Sequence, residues 1–302
     1  MVSTEFKQQI VAVWKEEGRA WLKQLPALIH QCAERWNLSV QAPMENLSYN
    51  FVARAVQDDG TPAILKIGVP NPELATEIEA LRHYQGRHAV KLLAADLSLG
   101  AFLIERVRPG QTLSTLTDDE TATRIAAPLI RDLPIPEPAN HAFPTVKDWT
   151  RAFAGYRTQF GSNSGPLPFR LLGKAERLFQ ELHASTKEQK LLHGDLHHEN
   201  ILLSGKNEWR VIDPKGVIGD PAYETARFQH NPMPQFLTMT NPATVAIQRS
   251  EILAETLGVN RARLLAWAFV DVVLAACWWV EDGGEDLSYS LGCLEIFDGL
   301  TD

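Results

Sequence analysis

The hydrophobic pattern of the chain changes its period once, close to residue 108. Upstream, short runs mix apolar and polar residues on either side of a turn, as in LSYNFVARAVQ (47–57) and TPAILKIGV (61–69). Alternation of this kind is typical of half-buried strands, whereas a spacing of about 3.6 residues is typical of helices. Downstream, the helical spacing dominates over about 113–132, 145–160, 171–188, 243–257, 261–281 and 285–298. The change predicts two bodies of different architecture.

The first body is predicted to be a small sheet with one inserted helix. Residues 1–36 have a helical pattern that Pro26 is expected to break or restart. NPELATEIEALRHYQ (71–85) predicts a helix with an asparagine N-cap and a proline at the first helical position. AVKLLAADLSLGAFLIERV (89–107) predicts two further strands around a turn. Together these elements predict an α+β lobe.

The Pro-Gly pair of RPGQTL (108–113) predicts a hinge or linker between the two bodies. We therefore expect a small, sheet-containing N-terminal lobe over 1–107 and a larger, mostly helical C-terminal lobe over 108–302. A cleft between two lobes is a common place for a ligand.

Charge and cysteine content exclude several classes of protein. The net charge of −8 argues against a nucleic-acid-binding protein, because such proteins usually present a basic face. Three widely spaced cysteines without a CxxC pair favour a reducing cytoplasm over a disulfide framework or a zinc site. The N-terminus lacks the apolar core of a signal peptide. LLAWAFVDVVLAACWWV (264–280) is short for a membrane span and contains Asp271, so we predict a buried helix there.

Two polar stretches interrupt the helical body, LHGDLHHEN (192–200) and VIDPKGVIGDPAYE (211–224). Asp195, Asn200 and Asp213 supply carboxylate and amide oxygens, which are ligands that Mg²⁺ accepts while it keeps phosphates and water. The strand-like segments NILL and EWRVID predict that Asn200 and Asp213 lie at neighbouring strand ends.

Two alternatives to the magnesium interpretation stay open at this point. A zinc site would use the histidines His193, His197 and His198, but the sequence offers no fourth ligand at zinc spacing. A structural interpretation makes HGD a turn whose aspartate caps a helix. In the functional interpretation, Asp195 accepts a hydroxyl proton and orients that oxygen for attack on phosphorus.

HGDLHHEN, followed by ID thirteen residues after Asn200, resembles the catalytic loop and the metal loop of the protein-kinase-like fold. The H-G-D-x-x-x-x-N variant is similar to the aminoglycoside phosphotransferase branch. GDLHHENIL and VIDPKGVIGDPAYE most resemble the streptomycin 6-kinase and hydroxyurea phosphotransferase family. The resemblance extends from about residue 45 onward and implies a bilobal fold with a small antiparallel-sheet lobe and a larger helical lobe.

In the helical lobe, the resemblance implies roles for four residues. Asp195 matches the catalytic base, and His193 matches the residue that braces the loop through hydrogen bonds. Asn200 matches a Mg²⁺ ligand. Asp213 matches the acidic residue that bridges Mg²⁺ to the phosphates of ATP.

In the sheet-containing lobe, the resemblance implies a nucleotide site. Lys66 lies in the middle of an apolar strand, where a lone lysine needs a partner, and it matches the lysine that holds the α- and β-phosphates. Glu77 is the expected ion-pair partner and Glu79 is the alternative, because the rotation of the helix decides between them. Backbone groups near Glu105 and Val107 are expected to pair with adenine.

The chain departs from the family pattern at three places. No GxGxxG occurs near residue 50, so Ser48, Tyr49 and Asn50 are expected to cover the phosphates instead. Gly194 replaces the arginine that pairs with an activation-loop phosphate in many protein kinases. Pro214-Lys215 replaces a Phe-Gly pair, and Lys215 is a candidate to neutralise the transferred phosphate, with an exposed loop lysine as the alternative.

Two more polar residues of the second stretch are assigned supporting roles. Asp220 is predicted to fix a turn through bonds to the backbone. Glu224 is predicted to support the start of the helix that follows.

The chain contains no lysine or arginine after Arg263, but many acids. An acidic helical face attracts a cationic acceptor, and indole rings bind cations. Streptomycin carries guanidinium groups, whereas hydroxyurea is small and neutral. The alternative is a solvated acidic tail with both tryptophans of CWWVEDGGED (277–286) in the core. Candidate acceptor-binding residues are Trp278, Glu281, Asp282 and Glu285.

These observations predict an ATP- and Mg²⁺-dependent O-phosphotransferase acting on a small-molecule hydroxyl, with a streptomycin-like aminoglycoside as the preferred acceptor. Alternatives are the same chemistry on hydroxyurea or another metabolite, and a nucleotide-binding protein without turnover. A protein kinase is disfavoured by Gly194 and Pro214. The protein is expected to act in the cytoplasm without a nucleic-acid or membrane partner, and no feature fixes its oligomeric state.

Overall fold

The computed structural model describes residues 2–45, 47–161 and 165–301. The chain forms two compact units, 1–110 and 111–302. The boundary falls just downstream of the position expected from the Pro-Gly pair.

The N-terminal unit is a helix followed by an antiparallel sheet with one inserted helix. The five strands are hydrogen-bonded in the order β1-β2-β3-β5-β4, and each neighbouring pair is antiparallel. The inserted helix α2 lies between β3 and β4 in the sequence, as predicted. The elements are α1 (Thr4–Arg35), β1 (Leu38–Pro43), β2 (Asn50–Gln57), β3 (Pro62–Gly68), α2 (Pro72–Tyr84), β4 (Leu92–Asp96) and β5 (Ala101–Glu105).

Helix α1 is interrupted at a different residue from the one predicted. Pro26 lies inside the helix, and the backbone leaves helical geometry at Lys15, where φ is 50°. The prediction that Pro26 breaks the helix was therefore wrong. Trp21, Leu25 and Cys32 are buried on either side of the proline, and this burial offsets the cost of about 3 kcal/mol that a proline imposes inside a helix.

The core of the N-terminal unit lies between α1 and the sheet. Ala53, Ala55 and Leu65 alternate with less buried residues along β2 and β3, which is the pattern that the sequence showed. Ile10 and Trp21 of α1 belong to the same buried cluster. The strand pattern and the helix pattern therefore share one hydrophobic core.

The C-terminal unit is mostly helical and contains two small sheets, in the orders β10-β9-β6 and β11-β8-β7. Short 3-10 helices cover Leu113–Thr115, His198–Asn200 and Pro221–Thr225. The strands are β6 (Pro109–Thr112), β7 (Ile135–Pro136), β8 (Lys190–Leu192), β9 (Ile201–Ser204), β10 (Trp209–Val211) and β11 (Val217–Gly219). The helices are α3 (Asp119–Asp132), α4 (Val146–Trp149), α5 (Arg151–Phe160), α6 (Phe169–Ala184), α7 (Ala226–Gln229), α8 (Gln235–Thr238), α9 (Pro242–Leu257), α10 (Arg261–Glu281) and α11 (Ser288–Leu300).

Two predicted boundaries between residues 108 and 119 were wrong. Most of RPGQTL, predicted as a hinge or linker, is strand β6. The helix predicted from 113 begins at Asp119, because the side chain of Asp118 accepts a hydrogen bond from the Thr121 N–H and so caps the helix there.

Helix α10 forms the centre of the C-terminal unit. It is long and apolar enough to span a membrane by length and composition. However, 78% of its 18-residue apolar stretch is buried inside the protein. Most of its side chains, including Asp271, are buried, as the sequence predicted for this segment. Cys32, Cys277 and Cys293 are free thiols, and all three are buried.

Candidate active site

The segment 193–200 begins directly after strand β8. Strand β11 pairs with β8 in antiparallel register, with Leu192 opposite Val217. The pairing continues beyond the strands, since the carbonyl oxygen of His193 accepts bonds from the N–H groups of Lys215 (2.8 Å) and Gly216 (3.2 Å). The two polar stretches of the sequence therefore lie side by side.

The ring of His193 links both stretches. Its Nε2–H donates to the Ile212 carbonyl oxygen at 2.7 Å, and its Nδ1 accepts from the Asp195 N–H at 3.2 Å. Full burial lowers the pKa of His193 to about 4, against the opposing effects of the Ile212 carbonyl and nearby acids. The ring is therefore neutral, with its proton on Nε2, and braces the loop through hydrogen bonds.

The carboxylate of Glu224 holds the backbone of the same loop. Its two oxygens accept bonds from the N–H groups of His193 (2.6 Å) and Gly194 (3.0 Å). Burial raises the pKa of Glu224 to about 7; the two N–H donors oppose this rise, and the charge of Asp195 adds to it. The expectation that Glu224 supports a helix start missed this contact. Asp220 does fix a turn, because it accepts from the Ala222 N–H at 3.0 Å.

Gly194 occupies a position that other residues would strain. Its φ of +79° lies in the left-handed region, which glycine adopts without steric cost. An added Cβ would lie 2.7 Å from Cη2 of Trp149 and 2.7 Å from Cγ1 of Val217. The glycine thus permits the turn before Asp195 and brings Trp149 against the loop.

The side chain of Asp195 is 27% exposed and lies beside a cation, with Oδ1 at 3.3 Å from Nε of Arg227. Its backbone carbonyl accepts a bond from Nδ2 of Asn200 at 2.9 Å. The helix-cap alternative is not supported, because the carboxylate faces the arginine. A partly exposed carboxylate on a braced loop is suited to accept a proton from a bound hydroxyl.

Asn200 and Asp213 lie at the same end of the β9–β10 hairpin, as predicted. Ile201 is opposite Val211 in the register, and the Ile212 N–H donates to the Asn200 carbonyl oxygen at 3.0 Å. Because Nδ2 of Asn200 is bound to the loop, its amide oxygen is the atom suited to a cation. An amide and a carboxylate oxygen fit Mg²⁺, which takes few protein ligands and keeps phosphates and water.

The three histidines of the loop do not form a zinc site. His193 is bound to Ile212 and Asp195, Nδ1 of His197 lies 2.9 Å from Glu199 Oε2, and His198 stacks on Phe228. Over the ranges that the structure describes, no group of three His, Cys, Asp or Glu side chains is arranged to hold a metal.

Lys66 of the N-terminal unit is paired with Glu77. Its Nζ lies 2.7 Å from Glu77 Oε1, and both side chains are nearly buried. Nζ also lies 5.3 Å from the ring centre of Phe102, the residue opposite Lys66 in the sheet. Glu79 instead pairs with Arg82 in an exposed contact. The rotation of α2 therefore selects Glu77, which the sequence left open.

The other nucleotide candidates also lie in the N-terminal unit. Ser48 and Tyr49 are exposed before β2, and Asn50 is the first residue of β2, opposite Gly68. Glu105 ends β5, where its Oε1 accepts from the Lys91 N–H at 2.9 Å. Val107 follows two residues later and is partly buried. Their contacts with a nucleotide stay a prediction.

The acceptor candidates lie at the end of α10 and beyond it. Trp278 is partly buried, with its ring centre 5.4 Å from that of Trp149, whereas Trp279 is 49% exposed and so lies outside the core. The carboxylates of Glu281, Asp282 and Glu285 are on exposed residues.

Trp149 and Arg227 were missed from the sequence. Trp149 contacts Gly194 from a helix more than forty residues upstream, and Arg227 reaches Asp195 from a helix more than thirty residues downstream. No local motif marks either residue, because both contacts depend on tertiary packing.

We expect Glu77→Gln to destabilise the protein by about 3 kcal/mol, because it removes a charged partner of the nearly buried Lys66 ammonium. Thermal or denaturant unfolding measures the change. Glu79→Gln is the matched control on the same helix, and its exposed pair is worth only about 0–1 kcal/mol. Equal losses in the two variants would contradict the importance of the Lys66–Glu77 pair.

The two units together have a protein-kinase-like fold, and comparison with solved structures supports this. A thermostable mutant of aminoglycoside phosphotransferase APH(4)-Ia, solved as a ternary complex with ADP and hygromycin B, matches with a TM-score of 0.62. The match covers 90% of this chain and 97% of that chain, at 16% sequence identity. At this identity the match establishes the fold alone.

The chain belongs to the aminoglycoside/hydroxyurea antibiotic resistance kinase family, whose model matches residues 35–283. A streptomycin 6-kinase of Streptomyces glaucescens is 29% identical over 279 residues, covering 90% of this chain and 88% of the relative. A hydroxyurea phosphotransferase of Kitasatospora aureofaciens is 32% identical over 268 residues, covering 88% of this chain and 76% of the relative. The protein is therefore a phosphotransferase of this family, as the two sequence motifs indicated.

Proposed function

We propose that the protein transfers the γ-phosphoryl group of ATP to a hydroxyl of a small molecule, with Mg²⁺ as the metal. The observation that carries this proposal is the loop that holds Asp195 beside the hairpin end bearing Asn200 and Asp213. A base, two oxygen ligands and a braced backbone are the parts that phosphoryl transfer requires.

In this proposal, Asp195 orients the acceptor hydroxyl and takes its proton as the oxygen attacks phosphorus. His193 and Glu224 keep the loop rigid, so that little of the required positioning is lost to backbone motion. Lys66, fixed by Glu77, holds the α- and β-phosphates. Mg²⁺, when bound, offsets the negative charge of the phosphates, and Asn200 and Asp213 would hold it.

Lys215 is the remaining candidate for neutralising the transferred phosphate. Its backbone N–H is bound to the His193 carbonyl, which anchors the residue next to the loop, and its side chain is partly buried. The partial burial favours a role at the site over a fully exposed loop lysine.

We propose a cationic, streptomycin-like aminoglycoside as the acceptor. Two of the C-terminal acids lie inside the fold beside cations, since Asp271 lies 3.3 Å from Arg227 and Asp298 pairs with Lys174 and Arg170. We define the acidic C-terminal face as the exposed acids that end α10 and follow it, Glu281, Asp282, Glu285 and Asp286. Such a face attracts cations by charge steering.

An ATP-consumption screen over aminoglycosides, hydroxyurea and common sugars tests the acceptor. Turnover of streptomycin with little turnover of hydroxyurea would support the proposal. Hydroxyurea is the second candidate, because one relative of similar identity carries that activity in its name. Turnover of hydroxyurea alone would show that the acidic face has no role in acceptor binding.

Neutralising the acidic C-terminal face with four amide substitutions should raise the acceptor KM several-fold and leave the ATP KM unchanged. Each exposed charge is worth only about 0–1 kcal/mol, so single substitutions are expected to have little effect. The wild-type KM for a cationic acceptor should also rise with salt, because screening weakens the attraction.

The matched control removes four exposed acids from the N-terminal unit and should leave the acceptor KM unchanged. An equal KM in wild type and in the C-terminal variant would show that this face is only a solvated surface. The control positions are Glu16, Glu17, Glu34 and Glu45.

The proposed setting is the cytoplasm, where ATP is available and where three free thiols are stable. The negative net charge gives no reason to expect a nucleic-acid partner.

A further inference from the structure

A buried carboxylate lies behind the proposed base, on the central helix of the C-terminal unit. Asp271 has no exposed side-chain surface. Its Oδ1 accepts from the Tyr223 hydroxyl at 2.6 Å, and its Oδ2 accepts from Nε2 of His230 at 2.7 Å. Burial alone would raise the pKa of Asp271. The Arg227 charge and the two hydrogen bonds outweigh burial, so the pKa lies below its usual value and the group is an anion. Burying a charge completely costs free energy unless the charge is paired and hydrogen-bonded.

Arg227 lies between this anion and the proposed base. Its Nε is 3.3 Å from Asp271 Oδ2 and 3.3 Å from Asp195 Oδ1. Nε has no hydrogen-bond partner, so both contacts are ion pairs without hydrogen-bond geometry. The charges of both carboxylates therefore hold the guanidinium, and Nε donates a hydrogen bond to neither of them.

We propose that Arg227, fixed by Asp271, is a positioning residue that sets the orientation of the Asp195 carboxylate for phosphoryl transfer. This inference rests on the proposed function only in taking Asp195 as the base.

The geometry gives the arginine a specific task. It attracts Oδ1 of Asp195, which leaves Oδ2 to receive the acceptor hydroxyl. Because Asp271 shares its charge, Arg227 does not neutralise the base, and one net negative charge stays on the three groups. A carboxylate without this restraint would populate other rotamers, and small displacements of a reacting group are costly in rate.

Asp271 is in turn fixed from two sides. Tyr223 belongs to the 3-10 helix that also carries Glu224, and His230 follows α7 directly. The segment 221–230 thus supplies a backbone support for the loop through Glu224 and a side-chain support for Asp195 through Arg227.

The test compares Arg227→Gln, Arg227→Lys and Arg263→Gln with wild type. We expect Arg227→Gln to lower kcat by about 10–100-fold while the ATP KM stays unchanged, because only the base is displaced. Arg227→Lys keeps the charge and should give a kcat between those of wild type and Arg227→Gln. Arg263 also forms a partly buried pair with an aspartate, Asp220, so Arg263→Gln should lower Tm without lowering kcat.

A double-mutant cycle separates positioning from general damage. If Arg227 acts through Asp195, then Arg227→Gln should cause no further loss in an Asp195→Asn background. Independent, multiplicative losses would overturn the inference, and so would a wild-type kcat in Arg227→Gln. If Arg227→Gln does not fold, Arg227→Lys decides, and a wild-type kcat in that variant overturns the inference.

Failure of the proposed function has a different signature. Near-wild-type turnover in Asp195→Asn would reject the base itself. An inactive Asp195→Asn together with a fully active Arg227→Gln would reject only the positioning role.

Discussion

Asp195→Ala should lower kcat by about 10²–10⁴-fold, the range that a positioned general base contributes, while ATP binding survives. In the proposed mechanism the base contacts the acceptor oxygen and not the nucleotide, so its loss should spare ATP binding. The loop itself is held by His193 and Glu224. Steady-state kinetics gives the loss of rate, and calorimetry with ATP and Mg²⁺ gives the binding.

Glu199→Gln is the matched control for this variant. Glu199 is a carboxylate on the same loop, and its Oε2 lies 2.9 Å from Nδ1 of His197 rather than near Arg227. We expect the control to retain most of the activity. A variant of Asp195 that turns over at the wild-type rate would show that another group accepts the proton.

The parts of the fold that depend on short stretches could be predicted from the sequence. Asn71 caps α2 through its side chain, as a local rule requires. NILL covers most of strand β9 and EWRVID contains strand β10, and their hairpin brings Asn200 and Asp213 to one end. The prediction succeeded because all the determinants lie within about twenty residues, and the antiparallel register leaves no freedom in which ends meet.

Rotations and long-range contacts could not be predicted in the same way. Glu77 and Glu79 lie on one helix two residues apart, and only packing against the sheet decides which of them faces Lys66. Lys15, not Pro26, interrupts α1 because buried side chains hold the helix together around the proline. The first case depends on packing geometry, and in the second case tertiary contacts outweigh a local propensity.

The supports of the candidate site were the least visible in the sequence. Glu224 was expected to stabilise a helix start, but it accepts two backbone bonds from a loop thirty residues away. Asp271 was recognised only as a charge that argues against a membrane span and as one of the acids that follow Arg263. Its partners Tyr223, Arg227 and His230 lie more than forty residues upstream. Residue types alone do not reveal which polar groups meet in a buried network.

Asp213→Asn should weaken the binding of Mg·ATP by about 10–100-fold and lower kcat as well. Metal sites lose affinity in this range even when only a supporting residue is removed, and here a charged ligand is lost. The substitution does not strain the backbone. Asp213 has a φ of 58°, and asparagine tolerates this left-handed conformation as well as aspartate does.

The change therefore removes charge from the proposed metal site and leaves the loop geometry in place. Isothermal calorimetry at several Mg²⁺ concentrations should show that excess metal restores part of the ATP affinity, because the weakened step is metal binding. Asp58→Asn, at an exposed turn of the N-terminal unit, should leave both affinity and rate unchanged. If Asp213→Asn binds Mg·ATP as wild type does and turns over at the same rate, Asp213 is not a metal ligand and the metal must be held elsewhere.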